Sequence, residues 1–203
     1  MRNAVCESAA CFKPVFNENS RVLLLGTVPS VDSVKYGFYY MNKGNYFWRL
    51  LSDVSGAPFV ELADDLRNAQ TAEKRKTAEN ELISRLFRLG VALFDTISTC
   101  ERTGSTDDKI LSYELNGKEK ILDIIRASRI EKVFCTSGEA LKNLYRVFGG
   151  KDKADGEIAS VMKTSADAPT GKLLSPSRRA FQPYAERLKD WKKLSQYING
   201  YNG

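Results

Sequence analysis

The chain contains no histidine. That absence removes the Ser-His-Asp triad, the Cys-His dyad, an imidazole base and any His-ligated metal, because no other side chain has an unperturbed pKa near neutrality. Its four cysteines, Cys6, Cys11, Cys100 and Cys135, form no CxxC pair, so neither a zinc knuckle nor an iron–sulfur cluster is spelled out and a reduced setting is expected. There is no GxxxxGK(S/T) and no GxGxxG to cradle a phosphate chain. No apolar run approaches the ~18 residues that cross a bilayer, and Met1-Arg2-Asn3-Ala4-Val5 lacks the apolar stretch of a signal peptide. A cytoplasmic protein with no membrane partner, metal or cofactor is expected. Its chemistry must run on amides, carboxylates, backbone dipoles and cations.

What is present is enough for one domain over residues 1–203, with 42% hydrophobic residues to form its core. Lys and Arg outnumber Asp and Glu by 31 to 25, a formal charge of +6, which leans modestly towards a polyanionic partner.

Strand and helix signals alternate along the chain. Arg21 to Gly26 reads as a buried strand, followed by a long loop and a helix from Asn45 to Val54 with Phe47, Leu50, Leu51 and Val54 at apolar helical spacing. Phe59 to Leu89 reads as two charged helices broken near Gln70-Thr71, the second ended by Gly90. Val91 to Asp95 is a second buried strand, residues 96–117 a long polar connection, and Glu119 to Ser128 an amphipathic helix. Lys132 to Cys135 gives a third strand, and Ser137 caps a helix to Phe148. Residues 149–170 read as a surface loop, 172–174 as a fourth strand, 175–180 as a turn and 181–197 as a closing helix. This order predicts an α/β fold: three layers, α/β/α, around a mostly parallel four-stranded sheet.

The carboxyl ends of those four strands deliver Gly26-Thr27-Val28-Pro29-Ser30, Asp95-Thr96, Thr136-Ser137 and Ser175-Pro176-Ser177-Arg178-Arg179, all expected on one edge of the sheet. Behind the first lies Tyr39-Tyr40-Met41-Asn42-Lys43-Gly44-Asn45-Tyr46-Phe47-Trp48. The glycine-proline turn, the Tyr-Tyr loop with N-x-F-W and the Pro-Ser turn, in that order, resemble the uracil-DNA glycosylase superfamily. Cys100-Glu101-Arg102 and Gly104-Ser105 add a likeness to its hypoxanthine-type branch, beside that to the mismatch-specific branch. The likeness covers roughly residues 20–55 and 90–192. It implies a uracil-DNA glycosylase-like fold and a monomeric DNA-repair enzyme that flips a damaged base out of DNA.

The resemblance also distributes roles. Tyr40 matches the position whose ring stacks on the flipped base; otherwise Tyr39 and Tyr40 fill the loop core. Val28 stands where the mismatch-specific branch has a water-positioning Asn, and an isopropyl group activates no water. In the hypoxanthine-type branch the polar role passes to the Asn of N-x-F-W, which matches Asn45; the same residue suits a helix N-cap, and Asn42 is held in reserve. Ser175 takes a place where several branches have His or Asn. Arg178 and Arg179 occupy the place of residues that wedge into the duplex, and would hold phosphates or fill the gap, unless they are simply an exposed pair at a helix start. Ser30 and Ser177 offer hydroxyls or amides to a phosphate. Thr136, with Ser137, replaces the Asn that holds uracil in other members, which argues against strict uracil specificity. Asp95 either accepts from a base edge or caps the following loop, and Cys135 is a small core residue.

The expected base-binding set is thus Tyr40, Thr27, Val28 and Thr136, the DNA-contacting set Ser30, Ser175, Ser177, Arg178 and Arg179, and the catalytic amide Asn45. Hydrolysis of the N-glycosidic bond of hypoxanthine or uracil in DNA needs no strong base if the leaving base is stabilised as an anion, so a histidine-free site suits it. The other reading is a DNA-binding member of the same fold that has lost catalysis, as Val28 and Ser175 would allow.

Overall fold

The computed structural model describes residues 7–103, 109–164 and 168–200. Its centre is a parallel sheet of β2 (Val22–Gly26), β3 (Val91–Asp95), β6 (Lys132–Cys135) and β7 (Thr170–Lys172), in the order β3-β2-β6-β7. All five residues of β2 and of β3 are buried, as expected of strands covered on both faces. Because side chains alternate, Val22 and Leu24 enter one apolar core while Leu23 and Leu25 enter the other. The first core is closed by α2 (Phe47–Ser55), α3 (Phe59–Asn68), α4 (Ala72–Leu89) and α8 (Tyr184–Trp191), and the second by α5 (Lys118–Arg126), α6 (Gly138–Phe148) and α7 (Lys151–Val161). The three layers predicted from strand–helix alternation are therefore present.

Local signals fixed several boundaries. Thr71 caps α4 by accepting from the Lys74 N–H at 3.2 Å, and Ser137 caps α6 by accepting from Ala140 at 3.0 Å. Gly90, at φ 79°, ends α4 in the left-handed conformation and returns its N–H to Leu86 and Phe87.

Four segments depart from the sequence reading. The connection read over residues 96–117 contains a hairpin of β4 (Ile97–Arg102) and β5 (Ile110–Leu115), which with β1 (Glu7–Ala10) forms a separate antiparallel sheet in the order β1-β4-β5. Its apolar cluster is small, Ala9, Ile97 and Cys100, and most of β5 is exposed, so little hydrophobic alternation advertises it. Residues 149–170 hold α7, whose buried residues are Ala154 and Ile158. The loop after β2 folds into α1 (Val31–Tyr36). The closing helix begins at Tyr184 behind Pro183 and gives way to a 3-10 turn, Lys192–Gln196, leaving residues 177–183 outside it. Arg178 and Arg179 thus do not sit at a helix start. Smaller shifts place α2 two residues later than read and β7 at Thr170–Lys172. Gly104-Ser105 and Cys6 lie outside the described residues.

Candidate active site

The chain turns from β2 to β3 on one side and then crosses to β6 on the other, so the carboxyl ends of β2 and β6 diverge around a switch point where open α/β sheets bind ligands. There the Thr27 and Ser137 hydroxyls meet at 3.3 Å. The crevice above them is lined by Thr27 to Ser30, Ser33, Tyr39, Tyr40, Asn45, Asp95, Thr136, Ser137 and Ser175 to Ser177. All four strand ends contribute to it. Eight of the ten residues singled out from sequence line it: Asn45, Tyr40, Thr27, Val28, Thr136, Ser30, Ser175 and Ser177. Arg178 instead borders an adjoining groove with Lys43, Tyr46, Arg49 and Arg67, to which Asn45 also contributes, and Arg179 is exposed on the same turn.

Tyr40 is fixed from two sides. Its ring lies parallel to that of buried Phe47, with centroids 3.7 Å apart and planes 1° from coincident. Its hydroxyl is 3.1 Å from the Thr136 hydroxyl, which donates to the Leu25 carbonyl at 3.2 Å. Either hydroxyl can donate in that pair. Tyr40 is the sole non-glycine residue at positive φ among the described residues, at 55°. A bulky residue held there is a local cost that the stack and the hydrogen bond offset. Gly26 leaves room for this arrangement: a Cβ on it would come within 2.3 Å of Asp95 Oδ1 and 2.8 Å of the Tyr40 hydroxyl.

Asn45 is oriented by its own helix. Its Oδ1 accepts from the Phe47 N–H at 2.9 Å, and because a backbone N–H can only donate, the oxygen end of the amide is identified. The Nδ2 group makes no hydrogen bond to the described residues and is left as a donor beside the crevice. Capping and a polar role in the crevice therefore coexist in one residue. Asn42 is spent elsewhere: its Nδ2 donates to Asp32 and its Oδ1 accepts from Gly44 at 2.8 Å, and it does not line the crevice.

The remaining walls set the electrostatics. Asp95, 3% exposed, is the one carboxylate among the lining residues. Burial, with a smaller contribution from Asp95, pushes the Tyr39 phenol well above its ordinary range, so Tyr39 stays neutral and donates to the Phe12 and Lys13 carbonyls. Val28 lines the crevice but packs on the Ala9, Ile97 and Cys100 cluster of the small sheet, so it forms an apolar wall. The Ser30 hydroxyl is committed to the start of α1, accepting from the Ser33 N–H at 3.1 Å.

Three residues given no role from sequence shape the site. Arg102, 2% exposed, reaches from β4 to the Pro29 carbonyl; Arg187, 1% exposed, holds carbonyls of the serine turn; and Phe181, 98% exposed, projects from that turn. A signal for Arg187 was legible: its spacing from Tyr184, Leu188 and Trp191 puts it on the apolar face of its helix.

These features define a class: an open α/β fold whose site is a crevice at the switch point, holding a fixed aromatic ring and an oriented amide. The chain belongs to the Uracil DNA glycosylase superfamily, whose family model matches residues 13–198. Among curated relatives it is 31% identical over 119 residues to a hypoxanthine DNA glycosylase of Methanosarcina acetivorans, covering 59% of this chain and 66% of the relative. It is 31% identical over 105 residues to one of Methanosarcina barkeri, covering 52% and 57%. The matches thus span less than two thirds of either relative. A solution NMR structure from Methanosarcina acetivorans, described as a candidate uracil DNA glycosylase, superimposes with a TM-score of 0.57 over 94% of this chain and 98% of that one, at 24% identity, and shows the shared fold.

Proposed function

We propose that the chain is a monofunctional DNA glycosylase that hydrolyses the N-glycosidic bond of a deaminated base, hypoxanthine or uracil, flipped out of DNA. The observation that carries this is the convergence of Tyr40, Asn45 and Ser175 on one crevice from three separate parts of the chain. A flipped base enters the crevice and stacks on the Tyr40 ring, which Phe47 backs and Thr136 anchors. The bond from C1′ to the base nitrogen breaks with its electron pair leaving on the base, and the oxygen of a water molecule adds to C1′ and loses a proton, which the departing base takes up. The Asn45 Nδ2 donor faces the developing negative charge or orders that water, and needs no titration near neutrality to do so. Two readings agree on purine chemistry first: the relatives carry the name hypoxanthine DNA glycosylase, and Thr136-Ser137 replaces the Asn that would hold uracil.

Thr136 serves by holding Tyr40 at the crevice wall. Lys43, Arg49 and Arg178 give the adjoining groove a basic edge suited to flanking phosphates, while Arg67 in the same groove is paired with Asp64.

The test is incubation of the purified protein with oligonucleotides carrying hypoxanthine, uracil, xanthine or a thymine mismatch, followed by alkaline cleavage of abasic sites. Strand cleavage at hypoxanthine is the expected result. Salt-sensitive DNA binding with no cleavage of any substrate would sink the enzyme reading in favour of a DNA-binding member that has lost catalysis.

A further inference from the structure

Three consecutive carbonyls of the serine turn alternate between two partners. Pro176 accepts from the Tyr46 N–H at 2.8 Å, beside the bridge that pairs Asn45 with Ser177. Ser175 and Ser177 instead accept from one Nη of Arg187, Ser175 at 2.6 Å. Alternation of this kind is what a strand shows when both of its edges are paired. One edge here meets backbone, and the other meets a guanidinium where a neighbouring strand would lie.

Arg187 sits in the first half of α8 with 1% of its surface exposed. Its remaining donors continue along the same turn, Nε to Gln182 at 2.8 Å and the second Nη to Ala180 at 2.6 Å. All four acceptors are thus backbone oxygens, and no carboxylate pairs with this guanidinium among the described residues. A buried guanidinium costs heavily unless its donors are satisfied, so the cation needs the turn as much as the turn needs the cation. The Tyr46 ring stands 5.4 Å from the same guanidinium, so residue 46 meets the turn through its N–H and the cation through its ring. Helix α8 also holds Leu174 by both backbone groups: Asp190 accepts its N–H at 2.7 Å, and Trp191 Nε1 donates to its carbonyl at 2.8 Å. Those bonds anchor the residue before the turn, whereas Arg187 grips the turn itself.

The Phe47 N–H orients the Asn45 amide relative to its own helix. Its place over the crevice depends on what its loop docks against, and that is the serine turn. We infer that Arg187 is a positioning residue for Asn45: its guanidinium takes the part of an edge strand, holds Ser175 and Ser177, and through Pro176 and Tyr46 keeps the candidate catalytic amide at the crevice. The inference rests on the DNA-glycosylase reading for what Asn45 does there, and on the hydrogen bonds alone for how it is held.

The experiment applies two measurements to Arg187→Gln and Arg187→Lys. The first is residue-resolved amide hydrogen exchange. Both variants are expected to speed exchange of the Tyr46 N–H about tenfold more than that of Leu24 in the middle of β2, the scale of one hydrogen bond. Equal acceleration at the two positions would mean that Arg187 acts through general stability, and an unchanged Tyr46 rate would mean that it does not hold the loop; either overturns the inference. Arg187→Lys keeps the charge but not the planar fork, so a Lys variant that behaved like the unaltered protein would overturn it as well. Should Arg187→Gln not fold, Arg187→Lys carries the same test. The second measurement is single-turnover excision from a duplex containing hypoxanthine. The rate at saturating protein is expected to fall about 10- to 100-fold, as for a misplaced reacting group, with the half-saturating concentration changed by less than about threefold. Faster Tyr46 exchange with an unchanged rate would show that Arg187 holds the loop without positioning Asn45, and the inference would fall. An unaltered protein that excises nothing would overturn the proposed activity instead, and the exchange result would still decide whether Arg187 holds the Asn45 loop.

Discussion

Asn45 and Ser177 face each other across an isolated antiparallel bridge, and the next residue, Tyr46, donates its N–H to the Pro176 carbonyl at 2.8 Å. The loop that carries the candidate catalytic amide and the Pro-Ser turn are thus one piece of backbone structure, although most of the chain separates them. Arg187 holds the far side of that turn, and Arg102 holds the glycine-proline turn through Pro29.

Asn45 has two roles that substitution separates. Asn45→Ala removes both the Oδ1 acceptor and the Nδ2 donor, and is expected to lower base excision by about 100-fold or more with a stability loss of about 1 kcal/mol. Asn45→Asp keeps an oxygen for the Phe47 N–H and is expected to retain stability while losing excision to the same degree. Single-turnover cleavage beside thermal unfolding checks this. Full cleavage by either variant would remove Asn45 from the chemistry.

For Tyr40 the ring and the hydroxyl come apart in the same way. Tyr40→Phe keeps the stack on Phe47 and loses the bond to Thr136, with an expected destabilisation of about 0.5–1.5 kcal/mol and little loss of excision. Tyr40→Ala removes the platform and is expected to weaken productive binding by about 10- to 100-fold, the range of base–aromatic stacking. Rates at limiting and saturating oligonucleotide measure the difference. A ring that only filled the loop would alter the melting temperature and leave those rates unchanged.

Gly26→Ala puts a methyl group into space held by Asp95 and the Tyr40 hydroxyl. A destabilisation of about 1–3 kcal/mol is expected, together with loss of excision, because the displaced groups are two walls of the crevice. Denaturant melts and the cleavage assay report each part, and a fully active, fully stable variant would show that the crevice tolerates a different shape.

Cys135 is fully buried on β6, and burial pushes its thiol pKa well above the ordinary value, while Cys11 is partly exposed. The thiolate is the reactive form, so Cys135 is expected to resist alkylation in the folded protein and Cys11 to react first. Peptide mapping after iodoacetamide treatment at neutral pH, with and without denaturant, distinguishes them. Labelling of Cys135 at the rate of Cys11 would mean that the central sheet opens readily.

Much of the frame was legible along the chain because its signals are local. Apolar runs too short for helices marked β2 and β3, and Thr71, Gly90 and Ser137 announced helix ends through their own backbone preferences. The small sheet was not legible, because β5 is mostly exposed and its pairing with β4, like that of β1, comes from hydrogen bonds between distant segments rather than from an apolar period. Helix α7 was missed for a related reason, since only Ala154 and Ile158 bury against the core.

The site divides along the same line. By itself the sequence determined that no imidazole takes part, that an aromatic and amide-rich loop follows the first strand, and that polar residues end each parallel strand, since residue types and strand direction decide these. Only the tertiary structure decided that Asn45 points its oxygen at Phe47 and its nitrogen away, that Asn42 is consumed by Asp32 and Gly44, that Val28 is a wall, and that Arg187 gathers four carbonyls and leaves Phe181 in solvent. Orientation, commitment and exposure of a side chain depend on partners brought in from elsewhere in the chain, and a linear pattern carries the donor and acceptor without carrying their pairing.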